Sequence, residues 1–299
     1  MIPTGALEYF ESSLENCLLC PRKCGINRLE GETGYCRAGS EVRAASIIVH
    51  TGEEPPISGT AGSGTVFLSG CNMRCVYCQN YPISQMDHGN TINPEDLALA
   101  MLKLESRGAH NINLVTPVQH LPGIVKAIAA ARASGLGLPI VYNTSGYECP
   151  ETIRMLEGIV QVYLADMRYS DPEVAGRLSD APDYPERNRR AIRQMFETVG
   201  LLQCKAGIAT RGLIIRHLVL PGGIAGTEST FEFIAREISP EVHISLMCQY
   251  FPANRAGDMP GLERRITGAE YQEAIALLDR YGLGNGWVQD MEGKSEPVA

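Results

Sequence analysis

The sequence predicts an α/β protein, namely a partial (β/α)6 TIM-like barrel preceded by a small cysteine-rich N-terminal metal-binding extension. Six apolar segments of strand length alternate with helical segments between residues 65 and 252. Single helices between consecutive strands require right-handed crossovers and therefore a parallel sheet. Eight such units would close a barrel, so six predict one that is open on one side. Seven of the ten cysteines fall within the first 78 residues, in two groups, and this clustering predicts metal sites.

Changes in composition divide the chain into four predicted segments. Residues 1–45 form the cysteine-rich extension, and residues 46–64 form a linker loop rich in glycine and proline. Residues 65–255 form the barrel, and residues 256–299 form a C-terminal helix and tail. A short strand over residues 41–49 spans the first boundary.

The barrel elements follow one another in a regular order. The first predicted helix starts with Pro94 and two acidic residues and stops at Gly108, which are typical start and stop signals. The six predicted strands cover residues 65–70, 111–117, 138–146, 160–170, 212–223 and 243–252. The predicted helices cover residues 94–108, 121–135, 149–158, 184–200, 230–239 and 268–282.

The bulk composition excludes several classes of protein. Hydrophobic residues make up 44% and charged residues 20% of the 299 positions, as in ordinary globular proteins. A net charge of -8 gives no general attraction for nucleic acid. No apolar run is long enough to span a bilayer, and the first sixteen residues lack the apolar core of a signal peptide. We therefore expect a cytoplasmic protein with reduced thiols and no membrane or nucleic-acid partner.

Three cysteines, Cys71, Cys75 and Cys78, follow the first barrel strand with C-x3-C-x2-C spacing. Iron–sulfur cubanes normally take one thiolate per iron, so three ligands leave one iron open. An open coordination position distinguishes catalytic from structural metal sites. The same three thiols are also compatible with zinc that has a remote fourth ligand.

The stretch "CNMRCVYC", with the aromatic Tyr77 before its last cysteine, resembles the radical S-adenosylmethionine (SAM) signature. The surrounding residues resemble an uncharacterised iron–sulfur family related to pyruvate formate-lyase activating enzyme. This resemblance implies a [4Fe–4S] cluster on the three cysteines and SAM chelating the open iron. It further implies an oxidoreductase that cleaves SAM reductively to methionine and a 5′-deoxyadenosyl radical. The radical would then abstract hydrogen from a substrate.

Further matches to the activating enzymes imply SAM contacts at the strand ends. "YNTSG" resembles a turn beside the SAM methionine and implies Asn143 and Ser145. "LADMRY" resembles an Asp-x-Lys strand end and implies Asp166 and Arg168, with arginine in place of lysine. A guanidinium binds a carboxylate through two hydrogen bonds, so this replacement alters the expected contact. Asn143 is also a common turn residue, and Asp166 and Arg168 could pair with each other.

Two more matches are less regular. "IRHLVLPGG" resembles an Arg-x-x-Val-x-Pro-Gly strand and implies Arg216 and His217, although His217 could equally be a core histidine. The Gly-Gly-Glu turn usual after the second strand is replaced by "TPVQH", so the resemblance assigns contacts with the SAM amino group to Thr116 and nearby carbonyls. Glu53 and Glu54 in the linker are typical of a solvated loop, or they could instead face the barrel mouth and bind substrate or Arg168.

The four N-terminal cysteines are spaced C-x2-C-x3-C-x11-C, and they are Cys17, Cys20, Cys24 and Cys36. Four thiolates complete either a tetrahedral zinc site or a fully ligated iron–sulfur cluster. The grouping of three close cysteines with one distant cysteine favours the cluster, which could relay electrons to the first site.

Two kinds of function remain open from the sequence. The first is a radical SAM enzyme whose substrate is a protein or peptide, for example a glycyl-radical enzyme, or else a small molecule. Such an enzyme would take electrons from a donor such as flavodoxin or ferredoxin, and the sequence identifies no further catalytic residue. The second is a non-catalytic protein, either an iron–sulfur electron carrier or a zinc-stabilised binding module.

Overall fold

A computed structural model describes residues 2–291 and 295–298 of the chain. Its strands are β1 Val42–His50, β2 Ser63–Leu68, β3 Asn90–Ile92, β4 Ile112–Val115, β5 Ile140–Thr144, β6 Val162–Asp166, β7 Gln203–Lys205, β8 Ile208–Leu218, β9 His243–Met247, β10 Gly286–Gln289 and β11 Ser295–Pro297. Its α-helices are α1 Thr4–Ser12, α2 Pro55–Ser58, α3 Tyr81–Ser84, α4 Pro94–Ser106, α5 Leu121–Ala133, α6 Pro150–Met155, α7 Pro172–Ser179, α8 Tyr184–Val199, α9 Thr227–Phe233 and α10 Gly268–Arg280.

The centre of the fold is a parallel sheet in the order β10-β9-β8-β6-β5-β4-β2. Helices connect most of these strands, and the described strands at the two edges, β3 and β11, do not pair with each other. The expected open barrel of α/β class is therefore confirmed. Six parallel strands were predicted, whereas β10 adds a seventh within the expected C-terminal tail. Four residues, "GWVQ", carry too little periodicity to predict a strand.

The expected linker differs from the structure at its start. β1 continues to His50 and pairs antiparallel with β2, so that Val49 lies opposite Gly64. Residues 46–50 are therefore strand, and the loop is shortened further by α2. The division of the chain into a separate extension and a barrel stays a prediction, since β1 connects the two through the sheet.

Local signals explain why the longer helices begin where they do. The Asn93 side chain accepts a hydrogen bond from the backbone N–H of Asp96 at 2.7 Å, and Pro94 occupies the first turn of α4. Thr267 and Glu270 form a reciprocal capping box at α10. The short helices α1 and α7 were not predicted, because eight or nine residues give a weak periodic signal.

Every residue of β5 and β6 is buried, as expected for strands covered on both faces. Tyr142 and Tyr163 belong to the larger core, which also includes residues of α4, α5 and α8. Their neighbours Val141 and Val162 belong to a second cluster that includes Ile57 of α2. Polar groups gather at the carboxyl ends of the strands, around a cavity to which α2 contributes no lining residue.

Within the residues that the structure describes, we find no helix with the length and apolar character needed to cross a membrane.

Candidate functional site

A cavity of about 310 Å³ lies at the carboxyl ends of the parallel strands. It is lined by residues from the ends of β2, β4, β5, β6, β8 and β9, where chemistry is located in barrels of this type. The structure brings ten of the predicted site residues to this one cavity, and they are Cys71, Cys75, Cys78, Tyr77, Thr116, Asn143, Ser145, Asp166, Arg168 and Arg216. Their individual roles as ligands stay predictions.

The three cysteines lie on the loop between β2 and α3. Hydrogen-bond donors surround their sulfurs: the Ser179 hydroxyl lies 3.0 Å from Cys75 Sγ, and the backbone N–H of Met73 lies 3.4 Å from Cys71 Sγ. A guanidinium N–H of Arg168 also donates to Cys75 Sγ at 3.2 Å. Such donors stabilise negative charge on sulfur, so this loop is suited to thiolates.

Burial raises the pKa of Cys71 to about 12, so this thiol is protonated unless a metal displaces the proton. In residues 2–291 and 295–298, no three His, Cys, Asp or Glu side chains converge as ligands of one ion. A cubane binds each thiolate to a different iron and does not need such convergence. Three cavity thiols with donors on their sulfurs therefore fit an iron–sulfur cluster.

An ionic network occupies the strand ends beside this loop. Asp166 lies between two guanidiniums, with 2.5 Å to Arg168 and 2.8 Å to Arg216. Although burial alone would raise the pKa of Asp166, the guanidiniums of Arg216 and Arg168 hold it below its usual range. Arg216 also donates to the Asn143 side chain at 2.6 Å. The network keeps two cations in the cavity, and the Nε of Arg168 has no hydrogen-bond partner there.

Glu53 lies in the same cavity, whereas Glu54 is not among the lining residues. The Glu53 carboxylate is 3.8 Å from the Arg216 guanidinium and 3.5 Å from the Asn143 amide. Burial raises the pKa of Glu53 to about 7, and Arg216 offsets part of the effect. Neither glutamate forms an ion pair with Arg168 in the structure, so that expected contact is wrong.

The "TPVQH" turn takes an unusual backbone form at Thr116, where φ is +56°. Its carbonyl already accepts a hydrogen bond from the Gln119 side chain at 2.8 Å. The same amide group also donates to the carbonyls of Ser69 and Gly70, at 3.1 Å each. Gln119 thus fixes this turn against the residues that precede the cysteine loop, a role that its sequence position did not indicate.

His217 does not line the cavity. It is fully buried, and its two ring nitrogens contact the carbonyl of Met167 at 2.7 Å and the hydroxyl of Thr227 at 3.0 Å. Burial lowers the pKa of His217 to about 4, so the ring is neutral near pH 7. The alternative of a core histidine is therefore correct.

Two tyrosines behind the cavity, Tyr169 and Tyr184, were not predicted from the sequence as part of the site. Tyr169 donates to the Tyr77 hydroxyl at 2.6 Å and lies 2.7 Å from the Ser179 hydroxyl, which in turn contacts Cys75. Tyr184 of α8 donates to the carbonyl of Ser145 at 2.7 Å. Tyr169 lies at the end of a predicted strand and Tyr184 at the start of a predicted helix, where aromatic residues are ordinary core residues, so no sequence signal distinguished them.

The four N-terminal cysteines lie in the extension, which packs against the cysteine loop and the barrel. Cys17 and Cys36 are buried, Cys20 is half-buried and Cys24 is exposed. Burial raises the pKa of Cys36, and the nearby guanidinium of Arg28 opposes this rise.

Comparisons with known proteins agree with this geometry. A profile of the radical SAM superfamily matches residues 65–222. An uncharacterised protein of Methanocaldococcus jannaschii, MJ0674, is 32% identical over 290 residues, covering 93% of this chain and 78% of that protein. A second protein of this organism, MJ0808, is 24% identical over 166 residues, covering 50% of this chain and 48% of the relative.

Among solved structures, the FeFe-hydrogenase maturase HydG from Carboxydothermus hydrogenoformans superposes with a TM-score of 0.51 and 15% identity. The match covers 73% of this chain but only 50% of HydG. At this identity, the similarity concerns the fold alone.

The superfamily profile covers the strands from β2 to β8 and the loop with three cysteines, and the archaeal relative extends over nearly the whole chain. The chain therefore belongs to the radical SAM superfamily, whose members bind a [4Fe–4S] cluster and S-adenosylmethionine.

Proposed function

We propose that this protein is a radical SAM enzyme that abstracts hydrogen from a protein or peptide substrate, in the manner of the activating enzymes. The observation that carries the proposal is the shared cavity, in which Arg168 contacts Cys75 Sγ at 3.2 Å and Asp166 at 2.5 Å. When bound, the cluster supplies the electron that converts SAM to methionine and a 5′-deoxyadenosyl radical.

The residues around the cysteine loop have separable roles in this proposal. Arg168 has a buried Nε without a hydrogen-bond partner, and its planar guanidinium is suited to the SAM carboxylate. Asp166 keeps Arg168 and Arg216 in place through its two ion pairs. Asn143 and Ser145, at the end of β5, would hold the methionine part of SAM, and Thr116 its amino group. Tyr77, held by Tyr169, supports the loop from behind.

The choice of a protein substrate is supported by the resemblance of the strand-end motifs to those of activating enzymes. The described edge strands β3 and β11 also do not pair with each other, so the barrel is open on one side. A segment of another chain could enter there and meet Glu53, whose buried carboxyl is suited to hydrogen bonds with backbone N–H groups. A small molecule would use the same opening.

Three accessory parts complete the proposal. A second metal site, either an iron–sulfur cluster or zinc, would occupy Cys17, Cys20, Cys24 and Cys36. A protein of the flavodoxin or ferredoxin class would supply the electron. The reducing cytoplasm would keep the ten thiols available, since thiolates are the metal ligands.

Anaerobic reconstitution with iron and sulfide tests the reaction. We expect an electron paramagnetic resonance signal that changes on addition of SAM, together with release of 5′-deoxyadenosine. Cys75→Ala should abolish both, whereas Cys204→Ala, which alters an exposed cysteine outside both groups, should change neither. An electron paramagnetic resonance signal that does not change on addition of SAM would indicate an electron carrier. Failure to form any cluster would indicate a zinc-stabilised module.

The substrate class requires a separate experiment. A glycyl-radical enzyme with α-deuterated glycine should transfer deuterium to 5′-deoxyadenosine in the presence of this protein. Deuterium that appears from a labelled small-molecule pool, and never from labelled protein, would refute the protein substrate while leaving the reaction class intact.

A further inference from the structure

Arg28 is a buried arginine whose charge is not balanced by a carboxylate. The residue is only 3% exposed, and in the described part of the chain no Asp or Glu lies within ion-pair distance of it. Its guanidinium instead donates to Cys17 Sγ at 2.9 Å and lies 3.9 Å from Cys36 Sγ. Its Nε has no hydrogen-bond acceptor.

A buried cation without a counter-charge is strongly unfavourable. Protonated thiols cannot balance it, because they carry no charge. Thiolates bound to a metal can, since four of them give a zinc ion or an iron–sulfur cluster a net negative charge. The position of Arg28 is therefore that of a cation facing an anionic tetrathiolate centre.

The backbone of the extension is shaped to present its cysteines together. The N–H of Cys17 donates to the carbonyl of Ile26, and the N–H of Gly25 donates back to the carbonyl of Cys17, at 3.1 and 3.0 Å. These two bonds close the loop that carries the first three cysteines. A Cβ at Gly34 would lie 2.8 Å from Cys24 Sγ, so the glycine leaves the space that this sulfur occupies.

The grouping of the cysteines along the chain favours a cluster over a single zinc ion. Structural zinc sites commonly take their ligands as two C-x2-C pairs. Here Cys17, Cys20 and Cys24 lie close together, and only Cys36 is distant. Three close cysteines and one distant cysteine are more typical of iron–sulfur ligation.

We propose that Cys17, Cys20, Cys24 and Cys36 bind a second iron–sulfur cluster, and that the buried guanidinium of Arg28 balances its negative charge. This proposal deepens the proposed function, on which it rests for the presence of a second metal.

The same arginine connects the two cysteine groups. The second terminal nitrogen of the Arg28 guanidinium donates to the carbonyl of Gln119 at 2.5 Å. The side-chain amide of Gln119 in turn donates to the carbonyls of Ser69 and Gly70, directly before Cys71. A Cβ on Gly70 would lie 2.4 Å from the carbonyl oxygen of Cys36, so the two loops are in backbone contact. The second cluster would therefore lie beside the first.

The test uses the full chain with the triple substitution Cys71→Ala, Cys75→Ala and Cys78→Ala, which removes the first site. After anaerobic reconstitution we expect about four irons per chain and a cluster spectrum. Zinc in place of iron, or loss of all iron together with the first site, would overturn the proposal. The variant cannot cleave SAM, so this result is independent of the success or failure of the proposed reaction.

The role of Arg28 is tested on the same background by redox titration. Arg28→Gln removes a positive charge beside the cluster and should lower the equilibrium constant for its reduction at least tenfold, which is 59 mV for a one-electron couple. Lys126→Gln is the matched control, because it removes a surface cation that pairs with Glu11 at 2.9 Å and should leave the potential unchanged.

If Arg28→Gln does not retain iron, Arg28→Lys separates charge from packing. Retention of the cluster by the lysine variant would support charge balance. Loss of the cluster from both variants, or equal potentials for Arg28→Gln and Lys126→Gln, would refute it.

Discussion

Replacement of Asp166 by Asn should destabilise the protein by about 3 kcal/mol, because breaking one side of a buried ion pair costs about 3–5 kcal/mol. The Asp166 side chain is 10% exposed, and its partners Arg168 and Arg216 are 24% and 16% exposed, so little water is available to replace the carboxylate. Asparagine keeps one acceptor oxygen, which places the expected loss at the lower end of the range.

Urea unfolding of the iron-free protein measures this loss without interference from a bound cluster. With a slope of about 3 kcal/mol per molar urea, the transition midpoint should fall by about 1 M. Glu232→Gln is the control, since Glu232 is 41% exposed and pairs with Arg236 at 2.8 Å on the helix surface. It should cost no more than about 0.5 kcal/mol.

Equal midpoints for the two variants would refute the reasoning, because they would mean that Asp166 does not stabilise the cavity cations. A double-mutant cycle with Arg168→Gln locates the effect. The coupling should be favourable by about 0.5–3 kcal/mol if the two residues interact as the structure indicates.

Three further predictions concern Glu53 in the cavity and two residues outside its lining, Gly70 and Tyr184. The stability difference between wild type and Glu53→Gln should shift in favour of the variant as pH rises from about 5 to 7, because folded Glu53, with its pKa raised to about 7, binds more protons than the unfolded chain in that window, whereas the opposite contribution of buried His217 is common to both proteins; urea midpoints of the two proteins measure this difference. Gly70→Ala should cost about 2 kcal/mol more than Gly108→Ala in the same assay, since both have positive φ but only Gly70 abuts a backbone carbonyl. Tyr184→Phe should lower the free energy of unfolding, measured by thermal denaturation, by about 1–3 kcal/mol, because the buried carbonyls of Ser145 and Asp166 lose the hydrogen bonds that the tyrosine hydroxyl donates.

The parts that could be predicted from the sequence are those with a periodic or spaced signal. The alternation of strands and helices predicted the open barrel, and the spacing of Cys71, Cys75 and Cys78 after a buried strand predicted the position of the cavity. Asp166 and Arg216 were predicted from strand-end motifs, and parallel strands bring such ends to one edge.

The parts that could not be predicted depend on contacts between distant segments. The sequence around Arg28 does not distinguish it from a surface arginine in a loop. Its burial depends on a contact with Gln119, which is 91 residues away in the sequence. Glu53 lies in a segment without periodicity, so its position could be raised only as a hypothesis. The strand β10 was missed because its parallel pairing with β9, more than forty residues earlier, defines it.

The antiparallel pairing of β1 with β2 has a consequence for truncation. A chain that began after residue 50 would expose the backbone N–H and C=O groups along one side of β2, which leads into the cysteine loop. Unpaired strand edges recruit other chains, so such a fragment should aggregate instead of yielding an isolated barrel.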